Sequence, residues 1–355
     1  MKSKFWSGAL AAVLAASMVL SGCGAKKEAP AASAADSGKS DSGKTWRVAY
    51  VTPGATGDNG FCDSVARGLA RIEQDYGAKT TIIENNNDAS KYAESLEACF
   101  QWQPDIVFSE PYGYEELYTQ YAENYPDTTV VCLDFTLENP SKTMSSYVFI
   151  NEEGCFLSGV CAALVTESNL DLANPEKIVG FVGGNDIPVI RGFYKGFEQG
   201  VHYIDPEIEI LSTYVGDFFD PVKGKTAAKQ LYAQGADIVF QAAGTTGQGV
   251  LEASSEENRY AIGVDSNQNN LYPGHVATSM VKDLDGAVYD LFAMIENGTY
   301  EKNHVYEKGA GASGVYLAID EFSKEILPQD MIDKINDTMD KIVSGEIKVE
   351  RYTEG

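Results

Sequence analysis

Asp134, Asp265 and Lys282 each close an apolar run of this chain: TTVVCLD, RYAIGVD and HVATSMVK. Asp58, Asn59 and Phe61 lie in TPGATGDNGF, directly after the apolar run RVAYV, and Phe240 precedes the glycine-rich QAAGTTGQG. In that loop Gly244 carries no Cβ to keep a ligand away from the backbone. Brought together, these residues supply aromatic rings, opposed carboxylates, an ammonium and accessible backbone amides, which are the parts of a binding site. They do not form a catalytic constellation, because no nucleophile stands beside a base or a metal motif. The five cysteines after Cys23 form no CxxC and the three histidines form no HExxH, so no metal site is expected. GTTGQG lacks the order of GxGxxG, so no dinucleotide is implied, and no other cofactor is. Each residue also has a purely structural role open to it. A strand-end aspartate can cap the helix that follows, Lys282 can be a solvated charge, and a phenylalanine in an apolar run can belong to the core.

The elements that must position these residues are written twice. RVAYVTPG from Arg47 and IVGFVGG from Ile178 stand 131 residues apart, as do Asp134 and Asp265. DIVF occurs at 105–108 and again at 237–240, 132 residues on. Between the landmarks lie matching helical patterns, ARGLARIEQDYG and YKGFEQGVHY. The strand runs are apolar throughout, as burial on both faces requires. Their alternation with helices predicts parallel sheets covered on both sides. Two such lobes leave a crevice, and in open parallel sheets ligands meet the carboxyl ends of the strands. The residues named above stand at those ends. Phe108 likewise leads to Ser109-Glu110-Pro111-Tyr112.

With 355 residues, 44% of them hydrophobic, the chain is long enough for two cored domains. The net charge of −25 repels phosphate backbones and argues against a nucleic-acid partner. At the N-terminus Lys2 and Lys4 precede the apolar run LAAVLAASMVL and then Ser21-Gly22-Cys23, the pattern of a signal peptide over 1–22. That run is shorter than the roughly 20 residues a membrane-spanning helix needs. Residues 23–45 hold little to bury and are expected to form a flexible tether. GKSDSGKT at 38–45 matches the phosphate-loop pattern in letters only, since it lies inside that tether and precedes a strand.

LSGC resembles the lipobox of bacterial lipoproteins, which implies Cys23 as a lipidated mature N-terminus. From Arg47 to about Tyr352 the chain resembles the basic membrane protein family, also called purine nucleoside receptor A-like. The resemblance is carried by GDNGF, NEEGCFLSG, DIVFQAAGTTGQG, IGVDSNQ and TSMVKD. It implies a type I periplasmic-binding-protein fold and a substrate-binding role for an ABC importer. In members that bind purine nucleosides two aromatics sandwich the base, while carboxylates and a lysine hold the sugar. By motif position Phe61 and Phe240 are the stacking rings, Asp134, Asp265 and Lys282 hold the ribose, and Gly244 gives a backbone contact. Asp58 and Asn59 of GDNGF join the ligand-binding set. Stacking adds roughly 0.5–1.5 kcal/mol beyond burial, and a hydroxyl bonded to a carboxylate about 1.5–3 kcal/mol. The chain departs from the nucleoside pattern at three places. Thr52 stands where an aspartate commonly closes the first strand, Asn59-Gly60 replace Lys-Ser, and Cys62 replaces asparagine.

The expectation is therefore an α/β, two-lobed binding protein with a hinge between lobes, held by lipid on the extracytoplasmic face of the cell membrane. Residues 46–149 with 283–307 form the N-terminal lobe, and 150–282 with 308–355 form the C-terminal lobe. The ligand is a nucleoside and the partners are an ABC permease and ATPase. The alternatives are a sugar or other small metabolite, a sensing role for a membrane receptor, and a nucleosidase or hydrolase using Asp134 or Asp265.

Overall fold

Val48, Ala49, Tyr50 and Val51 of strand β1 (Arg47–Thr52) are fully buried, so both faces of its sheet need a helical layer. The computed structural model, which describes residues 44–136 and 144–353, supplies both layers. The signal peptide expected over 1–22, Cys23 and the tether up to residue 43 lie outside the described residues.

In the first sheet β2 (Lys79–Glu84) and β3 (Ile106–Ser109) flank β1, followed by β4 (Thr129–Leu133) and β5 (Met144–Phe149), all in parallel register. Helices α1 (Phe61–Tyr76), α2 (Tyr92–Gln101) and α3 (Glu115–Asn124) make the connections. Side chains alternate across the pleat: Val48, Tyr50, Ile106 and Phe108 pack with α1, whereas Ala49, Val51 and Val107 pack with α2 and α3.

The second sheet repeats this path. After α4 (Asn151–Thr166) come β6 (Ile178–Gly183), α5 (Pro188–Ile204), β7 (Glu209–Tyr214), α6 (Pro221–Ala233), β8 (Ile238–Ala242), α7 (Thr245–Glu256), β9 (Tyr260–Asp265) and β10 (Val276–Lys282). The strand order β2-β1-β3-β4-β5 of the first sheet is matched by β7-β6-β8-β9-β10 in the second. This is the duplicated arrangement that the repeated DIVF indicates. A Cβ on Gly159 would collide with the Phe197 carbonyl, and one on Gly200 with that of Phe156. Glycine at both positions lets α4 and α5 cross with their backbones in contact, which presses α5 onto β8.

From β10 the chain returns to the first half through α8 (Leu284–Glu296), which packs on α1, and β11 (Val305–Lys308), parallel to β5. It then adds β12 (Val315–Leu317) to β10 before ending in α9 (Glu321–Ile326) and α10 (Gln329–Val343). β12 is antiparallel, the exception to parallel pairing among the described strands. The five described cysteines are all buried and unbridged, acting as small core side chains. No described helix is long and apolar enough to cross a membrane.

Candidate ligand-binding cleft

β4 and β9 occupy equivalent places in the two sheets, and each ends in an aspartate with a left-handed backbone. φ is 50° at Asp134, just past the end of β4, and 66° at Asp265. Aspartate tolerates this region better than bulkier residues do. Neither aspartate caps a following helix; both aim at one ammonium. Lys282 Nζ lies 2.7 Å from Asp134 Oδ2 and 2.8 Å from Asp265 Oδ1. The side chain of Lys282 is 4% exposed, and those of Asp134 and Asp265 are 8% and 10% exposed. Burial alone would lower the ammonium, but the charges and hydrogen bonds of Asp134 and Asp265 outweigh it and hold Lys282 above its ordinary range. The Asn151 amide donates to Asp134 from the start of α4 at 3.1 Å. Two carboxylates facing one ammonium leave a net negative site with acceptor capacity to spare.

Aromatic rings cover this triad from both lobes. Phe61, the first residue of α1, and Phe193 of α5 have ring centroids 5.1 and 5.2 Å from Lys282 Nζ. Such placement adds cation–π attraction to the ion pairs. Phe218 and Phe219, in the loop after β7, line the same cleft with Tyr112, and Tyr112 meets Phe218 edge-on at 5.7 Å.

Phe240 corrects the expectation of a stacking ring at its position. Along β8, Ile238, Phe240 and Ala242 share the face covered by α4 and α5. Phe240 is fully buried there, with its ring centroid 5.4 Å from Phe197, 5.8 Å from Phe181 and 6.5 Å from Phe193. Ala242, one pleat closer to the strand end, lines the cleft instead. Phe193, stacked on Phe240, brings an aromatic surface to the triad.

Asn59 is the second correction. It is exposed, with φ of 51°, and its side chain is not part of the cleft lining. Asp58 does line the cleft, but its carboxylate accepts from the backbone N–H groups of Gly60, Cys62 and Asp63 at 3.0, 2.9 and 3.1 Å. It thereby satisfies otherwise orphaned donors at the start of α1. Gly244 lines the cleft at the head of α7 with φ of 56°, a conformation glycine adopts freely.

Three successive carbonyls of the GDNGF loop fasten the lobes together. Asp58 O accepts from the Gln248 amide at 2.7 Å, Asn59 O from the Gln268 amide at 3.0 Å and Gly60 O from the Ser266 hydroxyl at 3.0 Å. Gln268 is fixed for this task, because its Oε1 accepts from the Gln241 amide and from Val264 N–H, both at 3.0 Å. On the opposite rim the Asn185 amide donates to the Tyr112 hydroxyl at 3.0 Å.

Glu110 also faces the cleft, after the end of β3. Tyr50 and Thr52 donate to its Oε1 at 2.9 and 2.5 Å. Burial pushes its carboxyl up to about 8, although the Thr52 and Tyr50 hydrogen bonds pull the other way. The sequence places Glu110 at a strand end without marking it as a ligand contact, and Phe193, Phe218 and Phe219 are not among its candidates. The Phe218-Phe219 pair follows a strand end, so the rule that singles out Asp134 reaches it as well. Phe193 sits within a helix and carried no such mark. Among the described residues no group of three or more His, Cys, Asp or Glu is arranged to hold a metal ion.

A sequence model of the family described as "ABC transporter substrate-binding protein PnrA-like" matches residues 45–353. Basic membrane protein D of Borreliella burgdorferi (strain JD1) is 29% identical over 296 residues, covering 82% of this chain and 83% of that protein. The CD4+ T-cell-stimulating antigen of Listeria innocua serovar 6a is 29% identical over 377 residues, covering 98% and 99%. An ABC transporter solute-binding protein from Aeropyrum pernix K1 has the same fold, with a TM-score of 0.78 at 24% identity over 87% of this chain and 94% of that one.

Proposed function

Because the chain belongs to the PnrA-like family of ABC transporter substrate-binding proteins, which bind ligands and are not enzymes, we propose that it captures a nucleoside outside the cytoplasm and delivers it to its permease and ATPase. The observation that carries this reading is the Asp134–Lys282–Asp265 triad at the seam of the two sheets, with Phe61 and Phe193 against it. The base lies among the aromatics of the two lobes. Ribose hydroxyls donate to the free carboxylate lone pairs and accept from Lys282, and Gly244 lends its backbone. A second negative charge is unwelcome beside a buried site that is already net negative, so a nucleoside is favoured over a nucleotide.

The lobes, 46–149 with 283–307 and 150–282 with 308–355, close as bodies about their connecting segments. Ligand contacts made only in the closed form shift the population toward it. Cys23 carries the lipid, and the tether up to residue 45 leaves the lobes free to meet the permease.

A thermal-shift panel of nucleosides, nucleotides, free bases, sugars and amino acids tests this reading. Mass action gives about 2.7 kcal/mol of stabilisation at a hundredfold excess over Kd, so a nucleoside is expected to raise Tm clearly. Stabilisation by sugars or amino acids with none by nucleosides contradicts it.

A further inference from the structure

The two carboxyl oxygens of Glu110 are unequal. Oε1 takes both neighbouring hydroxyls, Tyr50 at 2.9 Å and Thr52 at 2.5 Å. The Thr52 oxygen already accepts from Gly54 N–H at 3.0 Å and has the Cys62 thiol 3.3 Å away, so its one proton is free to go to Glu110. Oε2 is shut off from solvent and has no hydrogen-bond partner, yet the residue forms part of the cleft wall. A buried polar atom with nothing to bond is costly and calls for a partner. The cleft is where that partner would enter.

We propose that Glu110 determines ligand choice in this cleft, working as a neutral carboxylic acid whose Oε2–H donates to an acceptor, a ring nitrogen or carbonyl, on the edge of the ligand's base. The proposal rests on the nucleoside reading of the cleft and deepens it. The groups that act on Glu110 most strongly include no cation to hold it ionised. Tyr50 of β1 and Thr52 at its end donate to it, Asp58 and Cys62 stand near it at the start of α1, and Tyr92, Tyr114 and Tyr118 act on it only through their charge when ionised. Lys282, the nearby ammonium of the cleft, is held by Asp134 and Asp265. Burial therefore keeps the proton on Glu110 at neutral pH. With two donors already converging on Oε1, that proton belongs on Oε2. A ligand edge offering only N–H donors there meets a donor and is rejected.

Calorimetric titration of the protein with adenosine, inosine and guanosine tests this. Glu110→Leu is expected to weaken binding at least tenfold at pH 6.5. Glu110→Gln, which keeps an acceptor for Tyr50 and Thr52 and an N–H donor at the other position, is expected to restore most of that loss. Adenosine, whose base does not titrate in the window, is expected to bind the unaltered protein about thirtyfold more weakly at pH 9.5 than at pH 7, because deprotonation of a group near 8 removes the donor. The Glu110→Gln protein is expected to show no such fall. Equal losses in both variants, or an affinity that stays flat or rises with pH, overturn the proposal. If no nucleoside binds the unaltered protein, the nucleoside reading fails by itself. The carboxyl 13C resonance of Glu110, identified by its loss in Glu110→Gln, then decides the acid separately. Titration near 8 supports it, and titration in the ordinary glutamate range overturns it.

Discussion

Lys282 ends a strand of the second sheet, Asp134 follows a strand of the first, and their charged atoms lie 2.7 Å apart. This pair joins the two halves of the duplication at the place where each would present its strand ends to a ligand. Removing the ammonium would leave Asp134 and Asp265 buried together without a counter-charge. Lys282→Met is expected to destabilise the protein by about 3–5 kcal/mol and to abolish nucleoside binding, measured by urea denaturation and calorimetry.

Asp265→Ala keeps the Lys282–Asp134 pair and removes one carboxylate from the cleft lining. It is expected to weaken nucleoside binding at least tenfold while the protein stays folded, as followed by titration and circular dichroism.

Phe61 and Phe240 are expected to separate binding from stability. Phe240→Ala empties a core position and should cost about 3–5 kcal/mol. Phe61 is only partly buried at the cleft. Phe61→Ala should cost no more than about 1.5 kcal/mol beyond its lost burial and lower nucleoside affinity about tenfold. Denaturation and titration of the two variants check the contrast.

Glu110 makes stability depend on pH in a definite direction. Its folded-state carboxyl is raised from 4.5 to about 8. The native state therefore binds more protons than the unfolded chain between those values, and stability contributed by the protonated form is lost as pH rises through them. Glu110→Gln removes the ionisation, so it is expected to melt higher than the unaltered protein at pH 8, with the difference shrinking toward pH 5. A difference that grows on acidification would contradict the assignment.

Gln248 reaches across the cleft without lining it. Loss of one interlobe hydrogen bond, net about 0.5–1.5 kcal/mol, should lower affinity about two- to tenfold in Gln248→Ala by disfavouring the closed form. X-ray scattering of the ligand-saturated protein should then show a larger radius of gyration than for the unaltered chain.

The duplication, the parallel sheets and the converging strand ends were legible because burial on both faces writes continuous apolar runs. Asp134, Asp265 and Lys282 stood out because each ends such a run. Phe240 misled for the same reason: Ile238, Phe240 and Ala242 share one face of β8, and position in the sequence does not say how far along the strand the core extends. Phe193 was hidden because its place depends on α5 crossing α4 at glycines, a tertiary fact. Gln248 and Gln268 were visible in their motifs, but their role as fasteners requires both lobes to be in place.

The most direct test is a crystal structure of the protein grown with a nucleoside. The account predicts ribose hydroxyls within hydrogen-bond distance of Asp134 and Asp265, with the base beside Phe61 and Phe193. A ligand bound elsewhere, or a closed cleft whose Asp134–Lys282–Asp265 triad touches no ligand atom, would contradict it.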